Sequence, residues 1–128
     1  MQEIGPIQEK WLQALESGQF AQGKGFLCSD GKFCCLGVAC EVLGLEKHKA
    51  GPYMHYGPTC ADSAALIPES GMELLGLYGR AGAIKGSILV NGDTYSSLAT
   101  LNDKSNLIFP EIAALIRANP EKFFKETK

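Results

Sequence analysis

Near the start of the chain, apolar residues recur at helical spacing, at Ile7, Trp11, Leu12 and Leu15, behind a proline suited to the first turn of a helix. Gly18 supplies a stop, so the pattern predicts a short amphipathic helix over residues 6–17. The rhythm then shortens. Phe26-Leu27-Cys28 and Phe33-Cys34 flank Ser29-Asp30-Gly31-Lys32. An Asp-Gly pair between short apolar runs favours a tight hairpin turn with positive φ. From Cys34 to Gly44 the chain is apolar almost all round, which predicts a buried central helix ended by Gly44. Gly37 and Ala39 would let another element approach it closely.

Residues 46–62 are polar, aromatic and rich in Gly and Pro, and predict a loop with room for one short strand. Met72 to Gly79 is a short apolar element whose pattern does not decide its type. Arg80 to Ala83 is a glycine-punctuated connection. Ser87-Ile88-Leu89-Val90 predicts a strand, with Asn91-Gly92 as the turn after it. Asp93 or Thr94 would then cap a helix carrying Tyr95, Leu98 and Leu101 on one face and ending near Asn102-Asp103. A further helix over 109–117 opens with Phe109-Pro110, buries Ile112, Leu115 and Ile116, and stops at Asn119-Pro120. Phe123 and Phe124 pack back from the terminal turn. These elements predict one α+β domain over residues 1–128. A small antiparallel sheet would surround a buried central helix, flanked by the N- and C-terminal helices.

Composition changes this picture little. The 128 residues are 45% hydrophobic and 20% charged, which is ordinary for a chain that folds around a core. A net charge of −2 argues against a dedicated DNA or RNA binder. Nothing approaches the ~18 apolar residues of a membrane span. The acidic start, Met1-Gln2-Glu3-Ile4-Gly5, lacks the apolar core of a signal peptide, so a cytoplasmic protein is expected.

Five cysteines, at positions 28, 34, 35, 40 and 60, are many for so small a chain. A reducing compartment disfavours disulfides, and the spacings do not form the paired sets of a zinc site, so no metal and no cofactor are expected. Cys34, Cys35, Cys40 and Cys28 read as small buried hydrophobes. A catalytic thiol, Cys60 or Cys34, would need His48 or His55 as its base. No dinucleotide fingerprint, phosphate-binding loop or serine elbow occurs, and an enzyme therefore has no constellation behind it.

Binding chemistry is better represented. Tyr53, His55, Tyr56, Tyr78, Arg80 and Tyr95 cluster around the predicted loops. A tyrosine stacks on a flat ring while its hydroxyl bonds, and an arginine clamps a phosphate. Backbone amides in Gly-rich loops can approach an anion closely. Together these residues would suit a nucleotide. Each also has a structural reading: Tyr78 as a core edge, Arg80 as a solvated charge. Asn102 and Asp103 read either as residues bonding their own backbone at a helix end or as polar members of the site.

Several blocks carry a resemblance. They are Trp11 to Gly18, Gln22-Gly23-Lys24-Gly25, Phe33-Cys34-Cys35-Leu36-Gly37-Val38-Ala39-Cys40-Glu41-Val42, Ser97-Leu98-Ala99-Thr100-Leu101-Asn102-Asp103, and Phe109-Pro110-Glu111-Ile112-Ala113. With these the chain resembles a family of small proteins of tailed phages and prophages. The resemblance implies a phage context and carries over no catalytic residue. By analogy with phage proteins that soak up nucleotide signals, the expected function is immune evasion without catalysis. The protein would bind and sequester a cyclic nucleotide second messenger of host antiviral signalling, as a homo-oligomer. The alternatives are an inhibitor or adaptor that binds a host protein directly, and a small cysteine-dependent enzyme.

Overall fold

A computed structural model describes residues 3–57 and 65–125. Helix α1 (Pro6–Glu16) forms where the apolar spacing predicts it, with Pro6 in its first turn. The Gln8 side chain serves two elements. Its Oε1 accepts from the Gly5 amide at 2.8 Å, and its Nε2 donates to the Leu75 carbonyl at 2.7 Å. Trp11 is fully buried, and its indole N–H donates to the Cys35 carbonyl at 2.9 Å. That bond satisfies the one polar atom of the largest core side chain.

Strand β1 (Ala21–Gln22) leads to the predicted hairpin, β2 (Cys28–Ser29) and β3 (Lys32–Phe33). Asp30 and Gly31 both have positive φ, 52° and 77°, as the I′ hairpin turn requires. Helix α2 (Cys35–Leu43) follows, with six consecutive buried residues from Cys35 to Cys40. It ends at Gly44, whose left-handed φ of 67° caps the helix. The close approach expected at Gly37 is real, because a Cβ on that residue would overlap the Leu27 carbonyl oxygen.

The segment read as a loop is instead a hairpin, β4 (Lys47–Ala50) and β5 (Tyr53–Tyr56), paired at four positions. Gly51, at φ 62°, opens its two-residue connection as a II′ turn demands, and this turn chemistry makes a Gly-Pro stretch compatible with strands. The five strands form a sheet in the order β1-β3-β2-β5-β4. It is mixed rather than purely antiparallel, since β1 runs parallel to β3.

Helix α3 (Glu69–Leu75) resolves the element of undecided type. Then come β6 (Ala83–Val90) and β7 (Asp93–Ser97), a second, two-stranded antiparallel sheet. The helix expected from Asp93 or Thr94 therefore starts later. Asn91 and Gly92, with φ of 50° and 89°, form a hairpin turn that sends the chain back as a strand, setting Tyr95 opposite Ile88. The true cap is Ser97, whose Oγ accepts from the Thr100 amide at 3.2 Å. Helix α4 (Leu98–Lys104) runs past Asn102 and Asp103. Helices α5 (Phe109–Ala118) and α6 (Pro120–Phe123) close the fold, with Phe123 and Phe124 fully buried. Arg117 of α5 clasps α1, bonding Glu9 at 2.7 Å and Glu16 at 2.8 Å. Beside it the Glu9 carboxyl is held below its ordinary range, chiefly by the Arg117 hydrogen bond.

The architecture is thus α+β, with α2 at its centre. Among the described residues no helix is long and apolar enough to cross a membrane.

Gly37→Ala sets its new methyl against backbone rather than a yielding side chain. It is expected to cost about 3 kcal/mol or more in urea unfolding, the upper range for overpacking. An unchanged midpoint would refute the close contact.

Candidate functional site

The β4–β5 register sets Lys47 opposite Tyr56 and Lys49 opposite Met54, so these four side chains share one face of the hairpin. Cys28 and Phe33 are opposite each other in the neighbouring pair of strands. Between this surface and Glu41 of α2 lies a cleft of about 430 Å³. It is lined by Phe33, Glu41, Lys47, Lys49, Met54 and Tyr56, with Cys28, Tyr53 and the two hairpin turns completing the wall. The turns are tied together, as the Asp30 amide donates to the Pro52 carbonyl at 2.9 Å.

Glu41 organises the floor of the cleft. The Tyr56 hydroxyl donates to its Oε2 at 2.6 Å, and the Lys47 ammonium lies 3.1 Å from each carboxylate oxygen. Lys49 makes no ion pair among the described residues. Burial raises the Tyr56 hydroxyl far above its ordinary pKa, and the Glu41 carboxylate adds to the effect. Burial likewise raises the Cys28 thiol. Both groups stay protonated at neutral pH, so neither is an activated nucleophile.

The structure does not gather the residues named from sequence into one place. Tyr56 is in the cleft. Tyr53 borders the cleft at the hairpin turn, but the strand alternation sets its side chain on the opposite face, with its ring on Phe26 and the centroids 4.3 Å apart. His55 lies between them on the strand and points to the opposite face, across from His48. The His48 ring nitrogen in turn lies 3.1 Å from the Gly57 carbonyl oxygen. Tyr78 donates its hydroxyl to the Glu121 carbonyl at 3.0 Å, and Arg80 Nε donates to the Ile67 carbonyl at 2.9 Å. Both fasten chain segments together, and neither lines the cleft. Glu41, Lys47, Lys49 and Phe33 were missed. For the two lysines the signal was the two-residue alternation of 47/49 and 54/56, which the loop reading concealed.

Asn102 and Asp103 form a second polar centre. Asn102 is fully buried. Its Oδ1 accepts from Gln22 Nε2 at 3.1 Å and from the Cys35 amide at 3.2 Å. Its Nδ2 donates to the Gly23 carbonyl at 2.9 Å and to Asp103 Oδ1 at 3.1 Å. That oxygen also accepts from the Gly25 amide at 2.9 Å. Gln22 continues the network, donating to the Leu107 carbonyl at 3.0 Å and accepting from the Phe109 amide at 3.1 Å. The helix-end reading of Asn102 is therefore corrected, because its partners are distant in the chain and lock segments together. Residues 22–25, the first turn of α2, helix α4 and the start of α5 meet at this one side chain or its neighbour Gln22.

Cys34 caps α2, its Sγ accepting from the Gly37 amide at 3.4 Å. Burial nevertheless pushes its thiol up to about 11. Cys28, Cys34, Cys35 and Cys40 are free and buried. Cys60 lies outside the described residues, and with it the pairing of that thiol with a histidine. Among the described residues no group of three or more His, Cys, Asp or Glu could hold a metal ion.

A family model described as "Domain of unknown function (DUF8296)" matches residues 4–120, and the chain belongs to that family. No curated protein and no solved structure matches it.

Asn102→Ala leaves the buried Cys35 amide and the Gln22 side chain without their acceptor. It is expected to cost about 2–4 kcal/mol in urea unfolding. A loss within experimental error would contradict the network's role. The thiols give a pH dependence whose sign follows from their raised pKa. The unfolded chain releases the Cys34 proton first. The contribution is therefore whole below the usual thiol value of 9.0 and is lost as pH rises towards about 11. That separation corresponds to about 3 kcal/mol, and Cys35 and Cys40 act in the same direction. Urea midpoints are expected to fall steeply from about pH 9 to about pH 11, less so when Cys34→Ala removes one thiol. A flat profile would show that these thiols are not desolvated.

Proposed function

We propose that this protein is a non-catalytic binding protein whose sheet–helix cleft takes a nucleotide, and that it acts by sequestration. The single observation that carries the reading is the cleft itself. It joins an apolar wall, Phe33 and Met54, to cations at Lys47 and Lys49. A nucleobase lies against the apolar wall, its amino groups reach the Asp30 carboxylate, and its phosphate takes the lysines. The volume of about 430 Å³ is within the ~300–1,000 Å³ usual for small-molecule sites. Protonated Tyr56 and Cys28 favour holding a ligand over transforming it.

The resemblance of the sequence blocks to tailed-phage proteins makes the ligand, on this reading, a cyclic nucleotide second messenger of host antiviral signalling. Sequestration by a homo-oligomer in the cytoplasm of an infected cell then needs no further chemistry. Direct binding of a host protein has its own supporting observation. Leu74 and Ile7, 51% and 38% exposed, flank a shallow groove of about 200 Å³ at the start of α1.

Isothermal titration against a panel of cyclic dinucleotides and cyclic ADP-ribose isomers tests the first reading. At least one ligand is expected to bind, with Lys49→Ala weakening it about tenfold and Arg80→Ala leaving it unchanged. No heat with any ligand, at protein concentrations well above micromolar, would reject it. If Leu74→Asp then abolished protection in a phage-infection assay while every titration stayed silent, the protein-binding reading would take its place. Native mass spectrometry of the purified protein reports the subunit number at the same time.

A further inference from the structure

The floor of the cleft is also the wall of a neighbouring cavity. Between the second half of α1 and the end of α2 lies an open space of about 520 Å³, lined by Lys10, Gln13, Ser17, Gln19, Phe20 and Glu41 among others. Glu41 therefore borders both spaces. So does an aromatic pair. Phe33 walls the first space and Phe20 the second, and the two rings meet edge to face with centroids 5.2 Å apart. Each space thus has its own ring surface and its own cations, Lys47 and Lys49 on one side and Lys10 on the other. Each is within the range of volumes usual for ligand sites.

We infer that the nucleotide this protein takes is a two-lobed one, a dinucleotide with one base in each cavity and its linking phosphates over the Glu41–Lys47 pair. The inference rests on the nucleotide reading above and narrows it. Glu41 does not repel the linking phosphates as a bare carboxylate would, because Lys47 lies 3.1 Å from both of its oxygens and Tyr56 donates to it. An ammonium has three donors. One hydrogen bond goes to Glu41 Oε1, and the side chain is 48% exposed, so an ammonium donor remains for a phosphate oxygen. The divider is therefore a neutral pair with a free donor. At the far side, Gln19 adds amide groups that can bond a base edge, and Lys10 makes no ion pair among the described residues.

The test compares ligands and sites in one titration series on the full chain. The probes are adenosine and guanosine 5′-monophosphates, and the cyclic dinucleotides built from the same two bases. Cyclic dinucleotides are expected to bind at least tenfold tighter than either mononucleotide. Lys10→Ala, on the exposed side of α1, is expected to lower dinucleotide affinity about fivefold, while Arg80→Ala, which lines neither cavity, leaves it unchanged. Equal affinity for mono- and dinucleotides, or a dinucleotide affinity indifferent to Lys10→Ala, would overturn the two-lobed site while leaving the single cleft standing. Silence with every nucleotide would overturn both readings.

Discussion

Asn102 has no access to solvent, and its amide offers two donors and two acceptor positions that water cannot reach. All four are met, by Gln22, the Cys35 amide, the Gly23 carbonyl and Asp103. A buried polar group so placed is costly unless every bond forms at once, so it specifies one arrangement of the segments around it. Those segments are the 22–25 stretch, the first turn of α2 and helix α4. Through Gln22 the same network reaches the start of α5. The position of α2 follows from it. The Asn102 bond sets the helix N-terminus, the Trp11 indole holds the Cys35 carbonyl, and the Leu27 backbone occupies the space where Gly37 lacks a side chain.

Once α2 is set, so is Glu41, six residues on from Cys35 and at the edge of the buried run. Its carboxylate meets Tyr56 and Lys47 from the β4–β5 hairpin, which fixes the distance between helix and sheet. The cleft is the space this leaves. The same burial that stabilises the centre removes reactivity from it. Thiols and the Tyr56 hydroxyl are held protonated by desolvation, so what the surface offers a ligand is shape, ring faces and lysine charge.

The helices were largely legible in the sequence, because Ile7-Trp11-Leu12-Leu15 and Ile112-Leu115-Ile116 recur at helical spacing and Pro and Gly mark their ends. The Asp30-Gly31 hairpin was legible for the same local reason. Two errors share one cause. At 47–56 and 93–97 polar and aromatic residues mask strands, and a two-residue turn, Gly51-Pro52 or Asn91-Gly92, decides the structure by chain reversal rather than by hydrophobic pattern. The site was less legible. Tyr53 and Tyr56 were found because tyrosines near glycines attract notice. Arg80 and Tyr78 attracted it equally, yet their hydrogen bonds join backbone segments. Glu41 was hidden inside an apolar helix, where only the approach of a strand from elsewhere in the chain gives it a role. Asn102 stood in a recognised block, but its partners 67 to 80 positions away cannot be read locally.

The claim on which the functional reading turns is that ligand sits between α2 and the β4–β5 face. Backbone amide shifts on titration with a cyclic dinucleotide test it most directly. Expected are saturable shifts at Phe33, Glu41, Lys47, Lys49, Met54 and Tyr56, extending over Glu41 to Lys10, Gln19 and Phe20, with Tyr78, Arg80 and the β6–β7 hairpin unmoved. Shifts centred on Tyr78 and Arg80, with the cleft silent, would contradict it.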